Sequence, residues 1–277
     1  MSATTAPVPT PALPRPRPFA DAMTMLDRQL RHARRYPELT VIVLLVPVIL
    51  LVLFVMVFGG ALGAGLVPGA SGAGRGAYAD YVLPGILVMT IASIAQGTST
   101  TMAMDTTQGI IDRFRTLSIA PGAVLSGHVL AATIQSLLSM VVVTGVGLAV
   151  GFRPQAGATD WLVVAALLAG VSFGVSWLSV ALGLASRTVE SASNYPMPLV
   201  LLPFLGSGFV PTDSMPAGLR WFAEYQPFTP IMDAVRGLLL GTPVDASTVW
   251  LAAGWCVVFT VVGWWLARRL YARPRRA

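Results

Sequence analysis

The sequence predicts an all-α integral membrane protein of six transmembrane helices, with an amphipathic helix before the first span and a re-entrant helical hairpin between the fifth and sixth. Three observations predict it. Of 277 residues, 55% are hydrophobic and only 11% are charged, with a mean hydropathy of +0.72, which leaves too little polar surface for a soluble globule. Largely uncharged runs recur at about residues 41–62, 81–104, 123–152, 161–186, 191–212 and 247–268, each near the ~20 residues a helix needs to cross a bilayer core. None of these runs shows the polar–apolar alternation of a membrane β-barrel strand.

Residues 1–18 are rich in Pro, Ala and Thr and are expected to form a disordered tail, followed by one six-span domain over residues 19–277. The first apolar run follows a long polar stretch and precedes five more, so a cleaved signal peptide is not expected. Over residues 19–36, Phe19, Met23, Leu26 and Leu30 recur at helical spacing, with Arg28, Arg31, Arg34 and Arg35 available to lipid headgroups. The competing reading is a solvated helix without a partner.

Span two is the most polar, with Ser93, Gln96, Gly97, Thr100 and Thr101 in one half. Such groups face protein or a wet cavity, so they either line a path or join helices. Residues 105–122 are the one strongly charged interlude between central spans. Ile110, Phe114 and Leu117 fall at i, i+4 and i+7, while Asp112, Arg113, Arg115 and Thr116 cover the rest of a two-turn helix, a docking handle for another protein. In span three, His128 and Gln135 are expected to hydrogen-bond between helices.

Span four contains Gly170-Val-Ser-Phe-Gly174. As a small-xxx-small motif it permits close helix packing; as GxSxG it would be a nucleophile elbow, but that device needs a strand-to-helix turn. Span five is punctuated by Pro196, Pro198, Pro203, Gly206 and Gly208, which predicts a kinked helix facing the bundle. Residues 216–225 and 230–240 are expected to form two short helices dipping into the outer leaflet. Thr229 would cap the second and Pro230 would open it. Ile231, Val235, Leu238 and Leu239 give its apolar face, and Asp233 pairs with Arg236. Trp161, Trp250, Trp264 and Trp265 lie near span ends, where indoles settle at the interface. Cys256 has no second cysteine for a disulfide.

All eighteen basic residues are arginine. Without lysine the chain can carry neither a GxxxxGK[ST] phosphate loop nor a Schiff-base lysine. Threading the arginines through six spans places fourteen on the side of both termini and four on the other, which predicts cytoplasmic termini in a bacterial inner membrane. The net charge of +6 then reports orientation and anionic lipid rather than nucleic acid. No Asp or Glu lies mid-span, so the embedded carboxylates of ion-driven carriers are missing and energy should enter from outside the membrane.

With these features in place, the chain resembles the membrane subunit of type-2 ABC exporters, most closely the daunorubicin-resistance kind. The resemblance rests on Gly109-Ile-Ile-Asp-Arg-Phe-Arg-Thr-Leu117, Gly206-Ser-Gly-Phe-Val-Pro-Thr-Asp-Ser-Met-Pro216 and, above all, Gln226-Pro-Phe-Thr-Pro-Ile-Met-Asp-Ala-Val-Arg-Gly-Leu-Leu-Leu-Gly241. It implies a permease for a hydrophobic or amphipathic small molecule such as a drug. It also implies a homodimer or close heterodimer bound to two separate ATPase subunits that hold ATP and Mg. In such exporters the coupling helix maps onto Gly109, Ile110, Asp112, Arg113, Phe114, Arg115 and Leu117, and the connecting helix onto Leu26, Arg28, Leu30, Arg31 and Arg34. The re-entrant hairpin takes in Pro227, Thr229, Pro230, Asp233 and Arg236; spans one and five usually line the dimer interface. Ser93, Gln96 and Thr100 are the candidate pathway residues. Two other functions are carried forward: a lipid or polysaccharide exporter of the same family, and an intramembrane hydrolase using Ser172 and His128.

Overall fold

The computed structural model describes residues 17–35, 37–66, 74–116 and 119–273. The expected tail through residue 16, Tyr36, and Leu117 and Ser118 of the predicted handle lie outside these residues. Among the described residues there are helices and no strand. Helix α1 (Pro18–Arg35) precedes α2 (Pro37–Leu53), which runs through a π turn at Phe54–Phe58 into α3 (Gly59–Leu66). Then come α4 (Gly74–Thr107), α5 (Ile110–Thr116), α6 (Pro121–Val150) and α7 (Ala158–Ala185). Five helical stretches, Val43–Gly63, Gly74–Thr107, Gly122–Val150, Ala158–Ala185 and Ala246–Ala272, are long and apolar enough to cross a membrane.

Helix α4 is the axis of the bundle: 78% of its most apolar window is buried, against 11% for the last helix, so the first is a core element and the second faces outward. Val82, Leu83, Ile86, Leu87 and Ile91 are fully or almost fully buried along it. Since lipid is as apolar as these side chains, close packing rather than water release holds such helices together. Helix α6 runs antiparallel to α4, with His128 beside Asp105 at one end and Gly147 against Leu83 toward the other.

The fifth predicted span is not one helix. Prolines break residues 189–205 into α8 (Val189–Asn194), α9 (Met197–Leu201) and a 3₁₀ turn at Leu202–Leu205. These pieces run antiparallel along α4. Ser99 Oγ donates to Ala192 O at 2.9 Å and Gln96 Nε2 to Ser193 O at 2.7 Å, whereas Tyr78 Oη donates to Phe209 O at 3.3 Å. From Ser99 back to Tyr78 is roughly 30 Å of helix axis, the thickness of a bilayer core. Gly208 meets Gly85 so closely that a Cβ on Gly85 would come within 2.6 Å of the Gly208 carbonyl oxygen.

Past a 3₁₀ turn at Thr212–Ser214, α10 (Ala217–Tyr225) and α11 (Phe228–Leu240) form the hairpin, and α12 (Ala246–Ala272) closes the chain. Phe228 meets Phe259, half-way along α12, at a ring separation of 5.8 Å, while Leu239 O accepts from Gln155 N at 2.9 Å beside the start of α7. The second hairpin helix starts earlier than the sequence implied. Thr229 lies inside it and is not its cap: its hydroxyl donates to Ala223 O and accepts from Gln226 Nε2 at 3.0 Å. Pro230 is accordingly its third residue, which is tolerated because first-turn N–H groups have no helical acceptor.

Helices α7 and α12 run parallel: Gly170 faces Cys256, Gly174 faces Phe259, and Gly263 faces Trp177 and Leu178. The Gly170–Gly174 motif therefore works in packing, where a Cβ on Gly174 would come within 2.8 Å of the Phe259 Cβ. Nor is there a nucleophile–base pair, because His128 is engaged by Asp105 and the Ser172 hydroxyl is buried with no hydrogen-bond partner.

Candidate functional site

Three elements meet at the arginine-rich end of the bundle. Helix α4 ends in a turn at Gln108 and Gly109, whose φ of +71° is a left-handed conformation that suits glycine, and the chain swings into α5. The apolar side of α5 differs from the predicted stripe. Ile111, not Ile110, is buried at 2% exposure, because the turn at Gly109 rotates α5 so that Ile111 faces the core shared by α4, α6 and α12. Ile110 and Phe114 are half-buried. Phe114 lies under Arg28, whose guanidinium carbon is 5.3 Å from the ring centre. Arg115 is also turned inward: it donates to the Tyr271 carbonyl and stacks on the Tyr271 ring at 4.9 Å, with Asp112 3.2 Å away. Asp112, Arg113, Arg115 and Thr116 are all exposed, and of these Arg115 has its guanidinium end tied to Tyr271. Charge periodicity could not reveal that the Arg115 guanidinium reaches α12.

Helix α1 turns a second face, centred on Met25, to the rest of the protein. Met25 packs into the core, close against Gly127, while Phe19 and Met23 are exposed. The inward positions beside Met25 are polar and each has a partner. Asp21 Oδ2 accepts from Ala120 N at 3.0 Å, satisfying a donor at the start of α6. Arg28 grips both carboxylate oxygens of Asp105 at 2.9 and 3.0 Å, so it is not free for headgroups. Asp105 Oδ2 also lies 3.1 Å from His128 Nε2, and the Gln29 side-chain amide is 2.9 Å from the same nitrogen. A ring nitrogen facing a carboxylate carries the proton, so His128 Nε2 donates to Asp105. Arg31 pairs with Asp27 at 2.6 Å; Leu26 and Leu30 are half-buried and Arg34 is exposed.

Mid-bundle, Ser93, Gln96, Gly97 and Thr100 share one half-exposed face of the otherwise buried α4, and nothing lies within 4 Å of where a Cβ on Gly97 would be. Ser93 and Thr100 donate to carbonyls one turn back, at 3.0 Å each, while Gln96 reaches across to Ser193 O. Gln96 therefore joins helices, and the two hydroxyls leave this face only weakly polar.

The opposite end has its own arginine centre. Arg236 Nη1 pairs with Asp233 at 2.6 Å, its Nη2 donates to Ser207 O and its Nε to Tyr81 O at 3.2 Å, and the guanidinium sits 4.0 Å over the Tyr81 ring. Ser207 Oγ donates to Asp233 at 2.6 Å. The predicted Asp233–Arg236 pair is present, and the partners Ser207 and Tyr81, which no local spacing signals, join the motif after span five to the motif in α11. Pro227 stands at the N-cap of α11, and Arg220 on α10 is flanked by Glu224 of the same helix and Asp213 of the turn before it, which push its guanidinium still higher in pKa.

A family model described as "ABC-2 type transporter" matches residues 21–240, most of the chain. The chain belongs to that family. It is 30% identical over 224 residues, 79% of this chain and 75% of the relative, to the daunorubicin resistance ABC transporter permease protein DrrB1 of Streptomyces coeruleorubidus. It is 28% identical over 159 residues to the probable doxorubicin resistance ABC transporter permease protein DrrC of Mycobacterium tuberculosis, covering 55% of this chain and 56% of that relative.

Proposed function

We propose that the chain is the membrane-spanning permease subunit of an ATP-driven exporter that moves a hydrophobic or amphipathic small molecule, of the drug class named for its relatives. ATP and Mg are bound by a separate ATPase subunit, and two copies of each subunit form the working unit. The observation that carries this reading is α5. It projects Asp112 and Arg113 to solvent while its other face is tied to α1, α4, α6 and α12, in a chain that has no lysine for a phosphate loop of its own.

Closure of the ATPase pair pushes on Asp112 and Arg113. Because Phe114 packs under Arg28, and Arg28 holds Asp105, the push moves α1, α4 and α6 as one body. The residues of 189–205 form the sixth crossing. Exposed Met197, Leu201 and Leu205 repeat every fourth residue on one side of it, a stripe suited to the second copy. The open face at Ser93, Gly97 and Thr100 borders the substrate path; α10 and α11 are the re-entrant hairpin that roofs it.

The test is co-expression with candidate ATPase subunits, followed by purification and reconstitution. Expected are a stable complex, ATPase activity in the partner and ATP-dependent export. An Asp112→Ala/Arg113→Ala variant that inserts normally should lose most of that export. Export that needs no ATPase, or that the double variant leaves unchanged, contradicts the proposal.

A further inference from the structure

We propose that the arginine-rich end carries a binding site for the phosphate group of an anionic phospholipid, in the groove between α5, the start of α6 and the end of α12. The groove encloses about 490 Å³. Its floor is apolar, with Ile119, Val124 and Leu125, and its rim carries Arg115 and Arg268. Arg115 is already held by Asp112 and the Tyr271 carbonyl, which fixes its position. Arg268 stacks on Trp264 at 5.1 Å, and no ion pair to it is present among the described residues. A groove with guanidinium groups above hydrocarbon matches an amphiphile with an anionic head and an acyl chain.

The position of the groove selects a lipid as the occupant. Val257, Val261 and Trp264 are exposed and recur at helical spacing on α12, and Arg268 continues the same stripe one turn further on. The stripe therefore leads without interruption from the lipid-facing side of α12 into the groove. Trp250 near one end of α12, and Trp264 and Trp265 near the other, are exposed as interfacial indoles are. Arg268 lies roughly 6 Å beyond Trp264 along the axis, at the depth of headgroup phosphates. The same groove touches Phe114 and Arg115 of α5, so a bound lipid bears on the segment to which energy transfer is assigned above. The site itself depends only on membrane insertion, not on transport.

The full chain, purified in mild detergent, is offered dioleoylphosphatidylglycerol or dioleoylphosphatidylcholine and examined by native mass spectrometry. The expected result is one retained phosphatidylglycerol per chain, with phosphatidylcholine not retained. Arg268→Gln should lower retention about fivefold, while Arg269→Gln, which stacks on Trp265 outside the groove, should change it by less than about twofold. An unchanged unfolding midpoint shows that Arg268→Gln folds, and Arg268→Glu should reduce retention further. Equal retention of both lipids, equal loss in Arg268→Gln and Arg269→Gln, or full displacement by millimolar inorganic phosphate each overturns the proposal. So does loss of the lipid when the ATPase subunit binds, which would assign the groove to that protein. Failure of export with lipid binding intact would count against the transport reading alone.

Discussion

The two ends of α4 are both fastened by an arginine, but in opposite ways. At Asp105 the arginine comes from a distant helix and meets a carboxylate, with His128 as a third party, so side chains from α1, α4 and α6 hold one another. At Tyr81 the arginine comes from α11, takes its carboxylate from its own helix, and spends its other donors on the carbonyls of Ser207 and Tyr81. The first lock joins helices through side chains alone, and the second ties the Tyr81 carbonyl of α4 and the Ser207 carbonyl of the broken stretch after Leu205 to α11. A lock between side chains can shift as a body, whereas one that holds a broken backbone must stay closed for the fold to persist. On the proposed function, the end that receives energy and the end that roofs the path differ in that sense.

The largest effect should come from the roof. Arg236→Ala takes a donor from two carbonyls and leaves the Asp233 carboxylate with Ser207 alone, and should cost roughly 3–5 kcal/mol, read as a lower unfolding midpoint in detergent. Arg236→Lys should recover little of it, since an ammonium cannot fork between Ser207 and Tyr81. If Arg236→Lys is as stable as the parent, the backbone lock is not what holds this end. Next comes Asp105→Asn, which takes the counter-charge from Arg28 and leaves one oxygen where Arg28 and His128 shared two. A loss of roughly 2–3 kcal/mol is expected, with export falling more than stability would explain. A double-mutant cycle with Arg28→Ala should show coupling; additive effects would dissolve the inner lock.

Smaller still is Gly174→Ala, which forces α7 from α12 and should cost roughly 1–3 kcal/mol by overpacking. Least of all is Gln96→Ala, which removes a hydrogen bond to Ser193 O and should cost about 1 kcal/mol. Its use is to separate a joining role from a pathway role: a stability change without a change in substrate preference assigns Gln96 to joining.

Where sequence and structure agree, one local pattern decided the matter. Long uncharged runs give helices, Gly170 and Gly174 give close packing, and Asp233 with Arg236 at i, i+3 gives an ion pair. Where they differ, a distant partner intervened. Spacing alone offered Arg28 to lipid headgroups, yet Arg28 and Gln29 face inward because Asp105 and His128 await them. Arg115 is the surface charge its spacing implied, yet α12 supplies the Tyr271 carbonyl that holds its guanidinium. Thr229 has the composition of a cap, but α11 begins at Phe228 and its hydroxyl turns to Ala223 O. Polar groups in a membrane bundle go where their partners are, and those partners lie up to 156 residues away.

The most direct test of energy entering through α5 is cross-linking in a Cys256→Ser background, which removes the one native cysteine. Arg113→Cys should cross-link to the ATPase subunit in the assembled complex, with a yield that changes on ATP addition. Thr242→Cys, at the roof end, should not cross-link. A cross-link from position 242, or none from position 113 in an intact complex, would contradict the account.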